Sequence, residues 1–229
     1  MKKVLKVAVA TILSAILFLP TTVSASENKI TLSPLKVNAG SEFESKEFNL
    51  KTYDDNGITV YGLTAEEPEY CQVAMDYIKQ LTGDIEQHNI PCGPLLPGQS
   101  EYHNDTQYVG KAMSYAWKRN TAVDTYNEFE GGQATSWTGK GKCSYIVLNQ
   151  GINIGGIGVT ISWPPSISGN GNSGSWQSQP IYNNIAGSSF SGLRVSGLAY
   201  SCSFSEGGDV YVGSRVYRPM TYINFSLFS

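Results

Sequence analysis

Apolar and polar residues alternate in short runs over the second half of the chain. The last of these runs places Ile223, Phe225 and Leu227 at every second position. A period of two, with glycine- and serine-rich turns between the runs, is typical of the short strands of a sandwich or barrel. We therefore predict a mainly β (α+β) fold with a β-sandwich or barrel-like C-terminal body. The predicted strands cover residues 143–148, 158–163, 193–200, 209–217 and 221–228.

The first half of the chain predicts a hairpin. Residues 48–53 alternate, residues 54–57 read Asp-Asp-Asn-Gly, and residues 58–61 can return as the partner strand. Asn-Gly between two β-type runs favours a two-residue hairpin turn.

A helix is predicted over residues 66–82. Its apolar side chains recur at three- and four-residue spacing, which gives one apolar face. Thr64 is the expected N-cap, the glutamates of the first turn suit the positive helix end, and Gly83 is the expected stop. The apolar positions are Tyr70, Val73, Ala74, Tyr77, Ile78 and Leu81.

Other segments favour turns and loops. Residues 91–100 are rich in proline and glycine, and Pro164-Pro165 ends a strand. We expect residues 166–178 to form a flexible surface loop and the glycines of 151–158 to mark close strand packing or a bulge. For residues 108–117 the periodicity does not distinguish strand from helix. The predicted organisation is a signal peptide (1–25), a hairpin and helix region (26–100) and a β-rich domain (101–229).

The first 25 residues have the pattern of a secretory signal peptide. Lys2, Lys3 and Lys6 precede a mostly apolar stretch over 7–19, and Val23-Ser24-Ala25 resembles a cleavage site. The apolar stretch is shorter than the ~20 residues that span a bilayer. We therefore expect an exported, extracellular protein of bacterial type.

Charge narrows the possible partners. The net charge is −3, only 15% of residues are charged, and tyrosine and tryptophan are abundant. A nucleic-acid-binding surface needs a basic excess, so no nucleic-acid partner is predicted. The aromatic content indicates a packed core rather than a disordered chain.

Four cysteines in an exported chain predict disulfides. Nearest-neighbour pairing would join Cys71 to Cys92 and Cys143 to Cys202, one bridge in each half. Because no two of them have metal-ligand spacing, no metal site and no cofactor are predicted.

Residues for hydrolytic chemistry are few. Glu206 and Asp209 are the carboxylates of residues 131–229, and they flank Gly207-Gly208, which suggests a turn more than a catalytic pair. His103 lies beside Tyr102 and Asp105 and is the first histidine to test in a secreted hydrolase. The absence of a G-x-S-x-G elbow gives acyl transfer no further support.

Aromatic residues among serine, asparagine and glycine suggest a binding surface. Aromatic faces stack on the apolar faces of sugars, and the small polar groups supply hydrogen bonds. The candidates are Trp176, expected to be exposed in its loop, with Tyr182, Trp137 and Tyr211. The leading hypothesis is a binding module for carbohydrate or another cell-envelope component.

Two alternatives come from other classes. Residues 152–163 and 188–204 are poor in charge and long enough to cross a bilayer as strands, which would suit a secreted membrane-active toxin or antibacterial effector. A secreted hydrolase is the other alternative. A membrane is expected as a partner only for the toxin.

Overall fold

The computed structural model describes residues 25–34, 45–84 and 95–227. The predicted signal peptide, apart from its last residue, lies outside these ranges, and so does Cys92. The signal peptide and the Cys71–Cys92 bridge therefore stay predictions.

Twelve strands and one helix make up the described residues. In chain order they are β1 (Ser26–Leu32), β2 (Lys46–Asp55), β3 (Ile58–Leu63), α1 (Pro68–Leu81), β4 (Ser100–Val109), β5 (Ala112–Val123), β6 (Tyr126–Trp137), β7 (Tyr145–Ser162), β8 (Ser168–Asn170), β9 (Ser173–Gln177), β10 (Ile185–Val212), β11 (Arg215–Tyr217) and β12 (Met220–Ser226). All strand pairings are antiparallel. The predicted mainly β fold with one N-terminal helix is confirmed.

The 28-residue strand β10 joins two layers of the sheet. Its first part pairs with β3 and β6, and its second part pairs with β7, β12 and β11. We call the order β1-β2-β3-β10-β6-β5-β4 layer one. Layer two consists of β8, β9, β7, the second part of β10, β12 and β11. Because β3 pairs with β10, the N-terminal hairpin and the β-rich remainder share one sheet.

The predicted hairpin is confirmed as β2–β3. Asp55 pairs with Ile58, so Asn56 and Gly57 form a two-residue loop. Both loop residues have positive φ, 51° and 94°. That conformation characterises the tightest hairpin turn and explains the Asn-Gly signal.

The predicted helix is confirmed, but its start is not the expected one. Glu67 is the N-cap and makes no side-chain capping bond. The predicted cap, Thr64, instead accepts a hydrogen bond from Asn183. The helix ends at Leu81 with Thr82 as its C-cap, and Gly83 follows at φ 87°, the left-handed position that favours glycine.

Several strands that were predicted as separate belong to longer strands. The runs 143–148 and 158–163 belong to one strand, β7, and the runs 193–200 and 209–217 fall in β10 and β11. Residues 108–117 form the β4–β5 hairpin. Residues 166–178 are not a free loop, because β8 and β9 pair there and β9 pairs with β7. Pairing with a neighbour supplies order that a glycine-rich sequence does not predict. Pro164-Pro165 follows the end of β7, as expected.

Helix α1 packs on the face of layer one that points away from layer two. Ala74, Met75 and Ile78 are buried there against strand residues such as Leu63 and Ile185. Asp84, just after the helix, accepts hydrogen bonds from the Tyr102 and Tyr115 hydroxyls at 2.5 and 2.6 Å. These bonds attach the C-terminal end of the helix to β4 and β5.

An aromatic cluster fills the space between the layers. The ring of Phe129 on β6 lies 5.6 Å from that of Phe204 on β10 and 5.4 Å from that of Phe225 on β12. Ring distances of this size are favourable aromatic contacts that add to the burial of apolar area. The cluster therefore holds layer one against layer two.

A buried ion pair crosses the same interior. Lys118 on β5 donates from Nζ to the carboxylate of Glu206 on β10, and the two side chains are 0% and 2% exposed. The same ammonium donates to the carbonyl oxygens of Trp117 and Gly132 at 2.9 and 3.3 Å. Burial lowers the pKa of Lys118 and raises that of Glu206, and each charge opposes the effect of burial on its partner.

Replacing one member of the ion pair will destabilise the fold strongly. We expect Lys118→Met to lower the free energy of unfolding by about 3–5 kcal/mol, because Glu206 would stay buried without a counter-charge. The double variant Lys118→Met/Glu206→Leu should recover much of this loss. Urea unfolding measures both, and a single variant as stable as the parent would contradict the role given to the pair.

Stability will also fall in alkali. Burial, together with the bond to Asp84, raises the pKa of Tyr102 from 10 to about 12 and raises that of Tyr115 as well. The folded protein therefore holds these protons more tightly than the unfolded chain, so stability is complete below pH 10 and is lost as the pH rises toward 12. Unfolding free energies at pH 8, 10 and 11.5 test this. The variant Tyr102→Phe/Tyr115→Phe should lose less stability over that interval, and an equal loss would contradict the assignment.

Candidate functional site

The outer face of layer two carries small polar side chains. Along β7 the even-numbered positions Ile146, Leu148, Ile152 and Ile154 are buried, so the odd-numbered positions point outward. We call this solvent-facing side the outer face. Its residues on β7, β9 and β10 include Asn149, Gly151, Asn153, Ser173, Ser175, Gln177, Ser201, Ser203 and Ser205.

Strand register brings several of these residues into one trough. Across the sheet, Ser168 pairs with Ser175, Ser175 with Gly151, and Gly151 with Ser205. The neighbouring row places Gln177 opposite Asn149. The resulting cleft has a volume of about 640 Å³. We call it the trough, lined by Asn149, Gly151, Ser168, Ser175, Gln177 and Ser205.

Gly151 forms the floor of the trough. A Cβ atom at this position would lie 2.5 Å from Ser205 Oγ, so the serine hydroxyl occupies the space above the glycine. Beside it, Gln177 Nε2 donates to Asn149 Oδ1 at 2.8 Å, which orients both amides. Among the described residues, Asp55 is the one charged member of the lining, and it accepts a hydrogen bond from Trp176 Nε1 at 2.9 Å. The described residues of the trough therefore offer hydroxyl and amide groups and no basic side chain.

Three tyrosines lie on the outer face beyond one end of the trough. Tyr145 and Tyr211 pair across β7 and β10, and their rings are stacked with centroids 4.3 Å apart. The Tyr182 ring lies 5.9 Å from that of Tyr145 and is 73% exposed. We call these three residues the tyrosine row. Tyr145 is four residues from Asn149 on the same face of β7, which corresponds to about 13 Å.

The structure separates the four aromatic residues proposed for binding. Tyr182 and Tyr211 lie together in the tyrosine row. Trp176 is buried, and the expectation of an exposed Trp176 is wrong, because β9 alternates and turns this side chain inward. It still forms part of the lining of the trough. Trp137 is also buried, with its ring against Tyr217.

Sequence reasoning missed Tyr145 and the trough. The signal was present in the alternation of β7, where Tyr145, Asn149, Gly151 and Asn153 occupy outward positions between buried aliphatic residues. Their assembly with Ser175 and Ser205 follows from strand pairing, which the sequence does not specify.

The residues proposed for hydrolysis do not form a common site. Glu206 is fully buried against Lys118, whereas Asp209 points to the opposite face of β10 and contacts Arg218 at 3.3 Å. His103 Nε2 lies 2.5 Å from Oε1 of the buried Glu101. The predicted turn at Gly207-Gly208 is wrong, because both residues lie within β10.

The segments considered for membrane insertion pair with each other. Residues 152–162 of β7 lie opposite residues 194–204 of β10. They contribute Ile152, Ile154, Val195 and Phe204 to the core between the layers. No helix within the described ranges is both long and apolar enough to span a membrane. Those ranges likewise contain no group of three or more His, Cys, Asp or Glu side chains suited to holding a metal ion.

Cys71, Cys143 and Cys202 are buried, and none of them forms a disulfide within the described residues. The predicted Cys143–Cys202 bridge is not formed: Ser144 lies beside Tyr211 while Cys202 lies nine residues away along β10, roughly 30 Å. A disulfide needs Cα atoms within about 7 Å. Cys71 donates its thiol hydrogen to the carbonyl of Ala65, and its pairing with Cys92 stays a prediction.

Comparisons with protein-family models, curated proteins and solved structures find no match for this chain. The site is therefore interpreted from its geometry and chemistry.

Cys143 and Cys202 should react as free thiols once the protein unfolds. Burial raises the pKa of both, that of Cys143 to about 11, so native alkylation at pH 8 should be slow. In urea without reductant, iodoacetamide should modify both, as read by peptide mass spectrometry. Recovery of the two peptides joined by a disulfide would contradict this assignment.

Proposed function

We propose that this protein is an extracellular binding module for a neutral, hydroxyl-rich carbohydrate of a cell envelope. The ligand lies along the outer face of layer two, in the trough and over the tyrosine row. The pattern of Lys2, Lys3 and Lys6 before an apolar stretch supports the extracellular location.

The chemistry of the trough is the observation that carries the proposal. Asn149 and Gln177 each present an amide with both donors and acceptors, while Ser168, Ser175 and Ser205 present hydroxyls. Sugar hydroxyl groups also both donate and accept, so every such group can find a partner. Since Gly151 has no side chain, the Ser205 hydroxyl can lie over the backbone of β7 and face a ligand there.

The tyrosine row supplies the apolar part of the interaction. Stacked Tyr145 and Tyr211 present a rigid surface, and Tyr182 is largely exposed beside them. Tyrosine rings contribute contact area at a small cost in conformational entropy, and their hydroxyls can hydrogen-bond to a polar ligand. A glycan chain running along β7 would contact both the row and the trough.

Charge favours a neutral ligand over an anionic polymer. Within the part of the chain that the structure describes, no basic residue lines the trough, and Arg218 on the same layer is engaged by Asp209 at 3.3 Å. Phosphate- or carboxylate-rich polymers need several free cationic groups. The same absence argues against nucleic acid at this face.

Binding should depend on the tyrosine row and the trough. We expect the protein to bind one class of sugar on an array of neutral oligosaccharides of glucose, galactose, mannose and N-acetylglucosamine. Tyr182→Ala should weaken that binding about 3- to 10-fold, which corresponds to the ~0.5–1.5 kcal/mol of an aromatic contact. Asn149→Ala/Gln177→Ala should weaken it further by removing the paired amides.

The control is Tyr108→Ala, which removes an equally exposed tyrosine from β4 in layer one. A blank array, or equal binding by the Tyr182 and Tyr108 variants, would overturn the proposal. Dye release from liposomes separates it from the membrane-active alternative, because a binding module leaves vesicles intact.

A further inference from the structure

A second cleft opens at one end of the sandwich, away from the trough. It lies where the β5–β6 turn, the middle of β7 and β10, and the end of β12 meet, and its volume is about 570 Å³. This size is within the range of small-molecule sites. We call it the end cleft, lined among others by Asn120, Val123, Ile157, Leu198, Tyr200 and Leu227.

Its walls expose unusual amounts of aliphatic surface. Ile157 and Leu198 face each other across β7 and β10 and are 73% and 75% exposed. Val123 and Leu227 also line this cleft. Removing such side chains from water is favourable, so an apolar ligand gains free energy by covering them.

Glycines at a β-bulge hold the exposed pair in place. The β7–β10 register shifts between Ser196 and Leu198, and Gly158 and Gly197 have φ values of 62° and 87°. A Cβ on Gly197 would lie 2.4 Å from the Gly158 carbonyl oxygen, so only glycine fits. The bulge changes which residues point inward, and it leaves Ile157 and Leu198 on the surface.

The floor of the end cleft carries a buried acceptor that lacks a donor. Asn120 is 1% exposed, and its Oδ1 has no hydrogen-bond partner within the described part of the chain. Unpaired buried oxygens are costly, so a ligand that donates a hydrogen bond at the floor is favoured.

We propose that the end cleft binds a single-chain amphiphile whose head group carries hydroxyl or ammonium donors. The aliphatic chain lies between Ile157, Leu198 and Val123, and the head donates to Asn120 Oδ1. Of the residues in the described ranges, Asp124 is the one charged member of the lining and no basic residue contributes, so an anionic head group is disfavoured. This site is separate from the trough and does not depend on carbohydrate binding.

Three ten-carbon probes used below their micellar concentrations test the head-group preference. Calorimetric titration should show binding of decylamine and 1-decanol, with decanoate at least tenfold weaker because it presents only acceptors at neutral pH. Equal affinity for decanoate would overturn the assignment of the floor.

Variants test the location. Leu198→Ser should weaken decylamine binding about tenfold by removing an apolar wall. The matched control Leu96→Ser changes an exposed leucine that is not part of the lining and should bind as the parent does. Asn120→Leu, checked for native circular dichroism, should abolish the preference for decylamine over decanoate.

Three results distinguish ligand binding in the end cleft from binding to a bilayer or at the tyrosine row. Unchanged decylamine binding by the Leu198 variant would overturn the proposal. A protein that sediments with phosphatidylcholine vesicles but does not bind monomeric decylamine would also overturn it, because the cleft would then contact a bilayer and not a single amphiphile. Tyr182→Ala should leave decylamine binding unchanged, so failure at the tyrosine row and failure at the end cleft are distinguishable.

Discussion

The ion pair between Lys118 and Glu206 is the constraint on which the arrangement of the two layers depends. Both charges are removed from water, so each requires the other, and this requirement fixes how β5 lies over the second part of β10. The carbonyls of Trp117 and Gly132 complete the coordination of the ammonium. The rings of Phe190 and Phe204 lie 5.3 and 5.5 Å from it. An apolar pair could fill the same space, but it would not impose the same register between the layers.

Strand β10 contains Glu206 and also contributes residues to both candidate sites. Its residues near Glu206 contribute Ser205 to the trough, and its residues near the bulge contribute Leu198 to the end cleft. Because one strand runs through both layers, the position of the outer face and the opening of the end cleft are set by the same pairing. The glycines at 158 and 197 permit the bulge that changes the direction of side chains between the two sites.

The two sites have different chemistries. The trough offers amides and hydroxyls beside three tyrosines, which suits a ligand rich in hydroxyl groups. The end cleft offers aliphatic walls above an unpaired amide oxygen, which suits an amphiphile with a donating head. A module that recognises a glycan and also holds one lipid-like chain would be suited to an envelope, where both kinds of molecule are present.

Local signals in the sequence determined the β2–β3 hairpin, the helix with its glycine stop, and the mainly β class. The turn at Asn56-Gly57 and the helix stop at Gly83 depend on local backbone conformation, and the alternation of β12 reflects burial of one face. Residues close together in the sequence are therefore sufficient to predict these elements. Only the tertiary structure decided that residues 145–162 form one strand, that Trp176 turns inward, and that Cys143 and Cys202 lie far apart. It also decided that Tyr145 meets Tyr182 and that Lys118 meets Glu206. These features depend on which strands pair and in what register, and that choice is made by contacts between residues distant in the chain.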